Sequence, residues 1–431
     1  MKEDTPAYNL KAVIHETGLT AATLRAWERR YEISHPQRSP GGHRLYTHAE
    51  IEMLKWLVAR QAEGLSISRA VDLWRSLEKT ARDPFQQASV PPTEKTAGSM
   101  LDQLRNSWLA GCLAFDETTA EMALSQALAI ATPGAVCAGL LQKGLAELGE
   151  GWYRGTVSVQ QEHFASALTM RRLNALLTAA PAPTRDGRLL AACPPGEEHD
   201  LALLIMTFIL RWRGWDVVYL GANVPLAQLD ATLQATAPQL VLSTSQTLPG
   251  AAALRELAGM VNAQAVPLAY GGGIFNHIPG LAGQIPGYFL GRELGAVPGV
   301  VEQLINFPPM LPTSRPLPPA CSAALAGYKE KEALIVRSVS AAMENSKIAP
   351  RHLEEANLNF TKAISAALAL GDIHFLDYSA GWLNGFLENR GLPPAHAGEY
   401  YMTYRTAVQM HLGSQAAPIL DWLVKVGTAA A

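Results

Sequence analysis

Between residues 187 and 310 short apolar runs alternate with amphipathic ones, and no other feature of the chain restricts its fold as much. RLLAAC precedes LALLIMTFILRWRG; WDVVYLG precedes LAQLDATLQATA; QLVLSTSQT precedes LRELAGMVNA; VPLAYGGG follows, then YFLG, which leads into VVEQLIN. Runs this short and apolar read as strands, and strands separated by helices pack as a parallel sheet with helices on both faces. The expectation is a doubly wound, flavodoxin-like sheet of five strands. Ligands bind such a sheet outside the carboxyl ends of its strands. The first strand ends in GEEHDLA, Gly196–Ala202, ahead of an apolar helix carrying Leu203, Leu204 and Ile205. His199 could present a neutral imidazole to a metal there, while Glu197 holds the other ring nitrogen and fixes the tautomer. Taken alone, an E-x-H spacing describes a solvated loop histidine at least as well.

The surrounding residues change that balance. The loop resembles the E/D-x-H-x-x-G signature of cobalamin-binding domains, with Ala202 in place of the last glycine. Leu242-Ser243-Thr244-Ser245 and Tyr270-Gly271-Gly272-Gly273 end two later strands, where that family has its S-x-L/T and GG elements. Asn223-Val224-Pro225 resembles its G-x-x-V/T-P turn. Upstream, nine residues separate Trp152 from Glu162-His163, similar to the W-x9-EH motif of CarH-type light-dependent repressors. The resemblance implies His199 as the lower cobalt ligand, Trp152 over an adenosyl group, and Glu162 and His163 at the adenosyl or corrin edge. Asn223, Val224, Ser243, Ser245, Gly271 and Gly272 would complete the cofactor contacts. Tyr153 departs from the pattern, because these repressors often have a second cobalt-binding His directly after the Trp. A neutral phenol, with a pKa near 10, is a poor substitute, and His163 is close enough in sequence to be a weak substitute candidate. His277 lies beyond the glycines and has no role in this reading.

Residues 1–78 form a separate unit. Thr17-Gly18-Leu19 turns a short helix into a second, Ala21–Tyr31, for which Thr20 is the expected N-cap. Leu24, Trp27 and Tyr31 share one helical face, and Arg25, Arg29 and Arg30 the other. Helix, glycine turn, helix is the helix-turn-helix pattern, whose second helix enters the major groove. A hairpin-like wing, Pro36–Tyr46, then offers arginines to phosphates, and a helical pair runs from Ile51 to Trp74. LRAWERRY and GGHRLY resemble the MerR-family DNA-binding domain. By that resemblance Arg25, Arg29 and Arg30 face DNA, Arg38, Arg44 and Tyr46 grip its backbone, and Leu24, Trp27 and Leu57 are core. The long dimerising coiled coil of many MerR regulators is not visible. Residues 79–98 are proline-containing and aperiodic and read as a linker.

Residues 99–182 are helical in pattern, with Asp116 as a cap and Thr132-Pro133 opening a helix. They resemble the four-helix bundle that covers the upper face of cobalamin. Residues 311–320 are a proline-rich linker, and 321–431 read as an all-α domain. In it Phe375, Tyr378, Trp382 and Phe386 recur at helical spacing, and a last long helical stretch spans Ala397–Val424. The GD-x-x-FL…WL…L-x-x-R-G-x-P arrangement resembles photocobilins, which hold a bilin beside cobalamin. That would make His374, His396, Tyr401, Tyr404 and His411 contacts of a non-covalent biliverdin.

At 431 residues the chain suggests three or four domains, and with 17% charged residues it can bury real cores. A net charge of −3 gives no global nucleic-acid signal, so DNA contact must be local. Cys112, Cys137, Cys193 and Cys321 form no metal or disulfide spacing, which suits a reducing cytoplasm. No signal peptide is visible, and the most apolar run, Leu201–Leu210, is too short for a bilayer. The combined reading is a cytoplasmic, homo-oligomeric regulator, not an enzyme, that binds promoter DNA and senses light through cobalamin, most simply adenosylcobalamin. Light would break the upper cobalt bond and change oligomer and DNA affinity. The alternatives are a regulator that senses light through a bilin, and a corrinoid methyltransferase-type protein.

Overall fold

A computed structural model describes residues 8–31, 33–34, 36–38, 42, 44–62, 67–68, 70–71, 74, 94–344, 346, 350–389 and 395–429. The chain divides into two compact units, residues 1–103 with 128–132, and residues 104–127 with 133–431.

In the first unit, β1 (Tyr8–Asn9), β2 (Gln37–Arg38) and β3 (Arg44–Tyr46) pair antiparallel in the order β1-β3-β2. Helices Leu10–Thr17, Ala21–Tyr31 and His48–Ala62 complete it. Thr20 caps the second helix, its hydroxyl accepting from the Thr23 N–H at 3.1 Å. Leu24, Trp27, Leu54 and Leu57 are buried in one core, as the periodicity of Ala21–Tyr31 requires. Of the expected linker, residues up to 93 lie outside the described residues. A helix begins at Glu94, so its last five positions are helical. That helix starts two residues after Pro92, where proline cannot interrupt it.

A helical bundle belongs to the second unit except for residues 94–103 and 128–130. Its helices are Glu94–Leu113, Glu117–Ile130, Pro133–Val136 continued by Lys143–Tyr153, and Val159–Thr178. Asp116 caps the second through a 3.0 Å bond from the Thr119 N–H, and Ser158 with Gln161 forms a capping box on the last. A π turn, Cys137–Gln142, interrupts the third helix. The Gly139 carbonyl within it accepts from Arg105 Nη1 at 3.0 Å.

The sheet comprises β4 (Arg188–Ala192), β5 (Asp216–Gly221), β6 (Leu240–Thr244), β7 (Leu268–Gly271) and β8 (Tyr288–Phe289), all parallel, in the order β5-β4-β6-β7-β8. This is the flavodoxin-like order, with its switch point between β4 and β6. Helices Leu201–Trp212 and Val297–Asn306 bury Leu203, Met206, Leu210 and Val301 against one face. The other face is covered by Leu229–Thr236 and Leu248–Ala263.

The C-terminal region is helical, as expected, yet it is no separate body. Its core residues Tyr328, Ile364, Tyr404 and Trp422 join Leu190, Val241 and Leu254 of the sheet layer in a single hydrophobic cluster. The proline-rich stretch is correspondingly pinned. The Pro312 carbonyl accepts from Asn262 Nδ2 at 2.9 Å, and the Arg315 carbonyl from Arg255. Prolines donate no N–H but keep their carbonyls, so side-chain donors fix the segment. The stretch expected from Ala397 to Val424 is two helices, Ala395–Leu412 and Ala417–Ala429. Gly413 at φ +57° separates them.

Candidate cobalamin site and DNA interface

The loop after β4 lies at the switch point. Glu197 is fully buried within it and its carboxylate is saturated. Oε1 accepts from the His199 backbone N–H at 3.1 Å and faces His199 Nδ1 at 2.7 Å. Oε2 accepts from Ser245 Oγ at 2.9 Å, the Gln246 N–H at 2.8 Å, and the Thr247 N–H and hydroxyl at 3.2 Å each. Burial pushes this carboxyl upward, but the His199 ring, the Gln246 N–H and the Ser245 hydroxyl outweigh it and hold the pKa below the ordinary value. The hydrogen bond to Glu197 raises the His199 pKa against a smaller opposing effect of burial, and the charge of Glu162 adds to the rise. Bundle and loop thus face each other within Coulomb range. With Nδ1 bound to the carboxylate, Nε2 is directed elsewhere and forms no hydrogen bond among the described residues.

Neighbouring strand ends brace this arrangement. Asn223 sits in the left-handed region at φ +50°, where asparagine is tolerated. Its Oδ1 accepts from the Gly196 N–H at 2.8 Å and its Nδ2 donates to Glu198 Oε1 at 2.8 Å. The Val224 N–H donates to the Cys193 carbonyl at 3.1 Å. Both residues therefore position the His199 loop. Ser245 is spent on Glu197, whereas Ser243, fully buried, leaves its hydroxyl without a partner among the described residues. At Gly272, with φ +124°, a Cβ would stand 1.8 Å from the Ser245 carbonyl oxygen, so only glycine fits. A Cβ at Gly271 would meet nothing within 4 Å.

From the bundle come Trp152, Glu162 and His163. Glu162 accepts from Ser166 Oγ at 2.7 Å and pairs with His163 Nδ1 at 3.6 Å. His163 is largely in solvent. Trp152 lines a cavity of about 1210 Å³ together with Tyr153, His277, Tyr378 and Trp382. His277 is not incidental after all. It stacks on Tyr378 with ring centres 5.3 Å apart and planes at 15°. The sequence marked Tyr378 and Trp382 only as part of an aromatic stripe; in the structure both are half-exposed.

A corrin ring fills four cobalt positions and an upper ligand a fifth, so a cobalamin bound without its own base would take a single nitrogen from a protein. A lone histidine with a carboxylate behind it meets that need. Among the described residues no group of three or more His, Cys, Asp or Glu could hold a bare ion. The orphaned Ser243 hydroxyl and the open space at Gly271 also suit a ligand that supplies its own polar groups.

Two of the expected bilin contacts, Tyr401 and Tyr404, are buried side chains. Tyr404 is fully buried, hydrogen-bonded to the Tyr328 hydroxyl and, at 3.0 Å, to Thr361. Tyr401 packs against Phe360 and Trp422. Both are core residues, a correction that follows from tight aromatic packing. His411 Nε2 meets Ser338 Oγ at 2.8 Å, His374 Nδ1 lies 3.7 Å from Asp377, and His396 is partly buried.

In the first unit Arg25, Arg29 and Arg30 are exposed on the second helix, and Arg30 leans over the Tyr31 ring. Arg44 is 3.7 Å from Glu28. The side chain of Arg38 lies outside the described residues. Tyr46 requires correction. It is fully buried, its hydroxyl donates to Glu28 Oε1 at 2.7 Å, and burial followed by that bond raises its pKa. It supports the helix from beneath and is not placed to touch a phosphate. Burial pushes the Cys112, Cys137 and Cys193 thiols up to about 12, as for inert core cysteines.

Comparison with known proteins agrees with these features. Residues 8–77 match the MerR HTH family regulatory protein, and residues 104–177 and 187–297 match two families described as B12 binding domain. The HTH-type transcriptional repressor CarH of Myxococcus xanthus is 34% identical over 245 residues, 57% of this chain and 80% of that protein. The chain belongs to the CarH-type family of MerR regulators. The repressor CarA of the same organism is 35% identical over 237 residues, 54% of this chain and 74% of that protein. More distantly, the methanol–corrinoid protein of Methanosarcina barkeri is 28% identical over 125 residues, 28% of this chain and 48% of that protein. The chain is thus a MerR-type transcriptional regulator with a cobalamin-binding module, and both CarH-type relatives are named as repressors. Among the described residues no helix is long and apolar enough to cross a membrane.

Proposed function

We propose that this chain is a light-responsive transcriptional regulator that holds adenosylcobalamin between its helical bundle and its sheet, with His199 as the lower cobalt ligand. The observation that carries the reading is the buried Glu197 carboxylate on His199 Nδ1 at 2.7 Å, which leaves Nε2 as the free lone pair. When bound, cobalamin supplies a cobalt–carbon bond that visible light breaks. The chain supplies the rest. Ser245, Gln246 and Thr247 hold Glu197, Glu197 sets the His199 tautomer, and Asn223 ties the loop to the strand beside it. Trp152 and Glu162 belong to the opposing wall, which excludes water from the upper face. A shift of that wall relative to the sheet changes how copies of the chain associate, hence how many half-sites one assembly holds and its avidity for promoter DNA. Arg25, Arg29 and Arg30 meet the DNA, with Arg38 and Arg44 on the wing.

Titration of the apo-protein with adenosylcobalamin in the dark tests this. His199→Ala is expected to weaken binding at least about tenfold, in line with loss of a metal-site group. Equal affinity with an unchanged spectrum would sink the assignment.

A further inference from the structure

The helix Leu376–Glu388 touches both walls of the proposed cofactor site. Toward the bundle, the Trp382 ring lies 6.0 Å from that of Trp152 and 5.6 Å from that of Tyr153, tilted by 31° and 36°. Asn389, just past the helix, donates to the Tyr153 carbonyl at 3.1 Å. A Cβ at Gly385 would come within 2.0 Å of the Tyr153 phenol oxygen, so helix and phenol are already in close contact. Toward the sheet, Tyr378 stacks on His277, four residues after the Gly271–Gly273 turn that ends β7. The helix itself is anchored in the C-terminal core. Leu376 is fully buried, and Asp377 accepts from Trp422 Nε1 at 2.7 Å and from Lys425 Nζ at 3.1 Å.

A rigid element anchored at its base and stacked on two neighbours resists their separation. We propose that Leu376–Glu388 is a clasp, with Trp382 as a positioning residue for Trp152 and Tyr378 for the sheet, so that the C-terminal helices set how firmly the upper wall closes. This rests on the reading of Trp152 as part of that wall. Movement of the bundle away from the sheet must break either the Trp382 contacts or the His277–Tyr378 stack. The C-terminal helices therefore register the state of the cofactor site, and their own condition alters how long an upper-ligand-bearing cobalamin is retained. Tyr153 is absorbed in this contact.

The test uses the full chain with Trp382→Ala and Gly385→Ala, the second keeping every aromatic ring while pushing Tyr153 aside. Amide hydrogen exchange over Lys143–Tyr153 in the cofactor-free protein reads the clasp without reference to cobalamin. Release of adenosylcobalamin in the dark, followed by absorption after dilution, reads its consequence. Exchange is expected to rise roughly threefold to tenfold in either variant, the range an aromatic contact controls, and release to quicken in step. Global thermal unfolding serves as the control, and Gly385→Ala carries the test if Trp382→Ala does not fold. Unchanged exchange in a folded variant overturns the clasp. Raised exchange with release at the wild-type rate makes Trp382 merely structural and also overturns it. If the wild type takes up no cobalamin, the cofactor reading fails and the retention role falls with it, while the exchange result still decides whether the helix braces the bundle.

Discussion

Replacing Glu197 by Gln isolates what the carboxylate does for His199. The amide is nearly isosteric, and only one of its two orientations suits the cage. With its oxygen in the place of Oε2 it keeps the donors from Ser245, Gln246 and Thr247, and its NH2 group then faces the His199 N–H and Nδ1. Reversed, it would point NH2 at two backbone N–H groups instead of one. The first orientation leaves one buried N–H without an acceptor, at about 1–3 kcal/mol. It also obliges Nδ1 to accept a hydrogen bond, so the ring proton moves to Nε2 and the lone pair meant for cobalt is lost. Loss of the carboxylate behind a metal-binding histidine typically lowers metal affinity by about 10–100-fold. Urea unfolding of the apo-protein should report the first effect, and dark titration with adenosylcobalamin the second. Nitrogen NMR of the imidazole shows which atom carries the proton. A Glu197→Gln protein that binds with wild-type affinity and keeps its proton on Nδ1 would refute the reasoning.

Other outcomes follow from the same geometry. The raised His199 pKa contributes stability that is complete below the ordinary imidazole value of 6.5 and is lost as pH rises through the folded value, while the lowered Glu197 pKa contributes above 4.5 and is lost as pH falls through its folded value. The pair should therefore stabilise the apo-protein most between pH 4.5 and 6.5; a difference between wild type and His199→Ala that stays flat across that window and beyond would contradict this. Gly272→Ala must move backbone against backbone, and the strained φ alone costs about 1–3 kcal/mol, so a lowered melting temperature is expected; an unchanged one would show that the turn relaxes freely. Tyr46→Phe should cost about 1.5–3 kcal/mol through the lost bond to Glu28 without altering the salt dependence of DNA binding. Arg29→Ala should leave stability alone and reduce that salt slope by about one, and the reverse pattern in the two variants would exchange their roles.

Much of this was legible in the chain. Strand–helix alternation announced the sheet and its switch point, and the E-x-H spacing placed a carboxylate beside an imidazole, because both are local patterns. The cage that holds Glu197 was not readable, since Ser245, Gln246 and Thr247 reach it across 48 to 50 residues of sequence. Tyr46 looked like a wing residue for want of any sign that Glu28 would bury its hydroxyl. The aromatic stripe of Tyr378 and Trp382 revealed a helix face but not the partners that cover it. The prolines of 311–320 suggested a loose tether, whereas distant Asn262 and Arg255 donors fix the Pro312 and Arg315 carbonyls.

The most direct measurement is the absorption spectrum of the full chain loaded with adenosylcobalamin in the dark, desalted, and recorded again after green light. A corrinoid spectrum that survives desalting and converts under illumination is the expected result. Pigment lost on desalting, or a bound spectrum that green light leaves unchanged, would contradict a light-sensing cobalamin site built on His199.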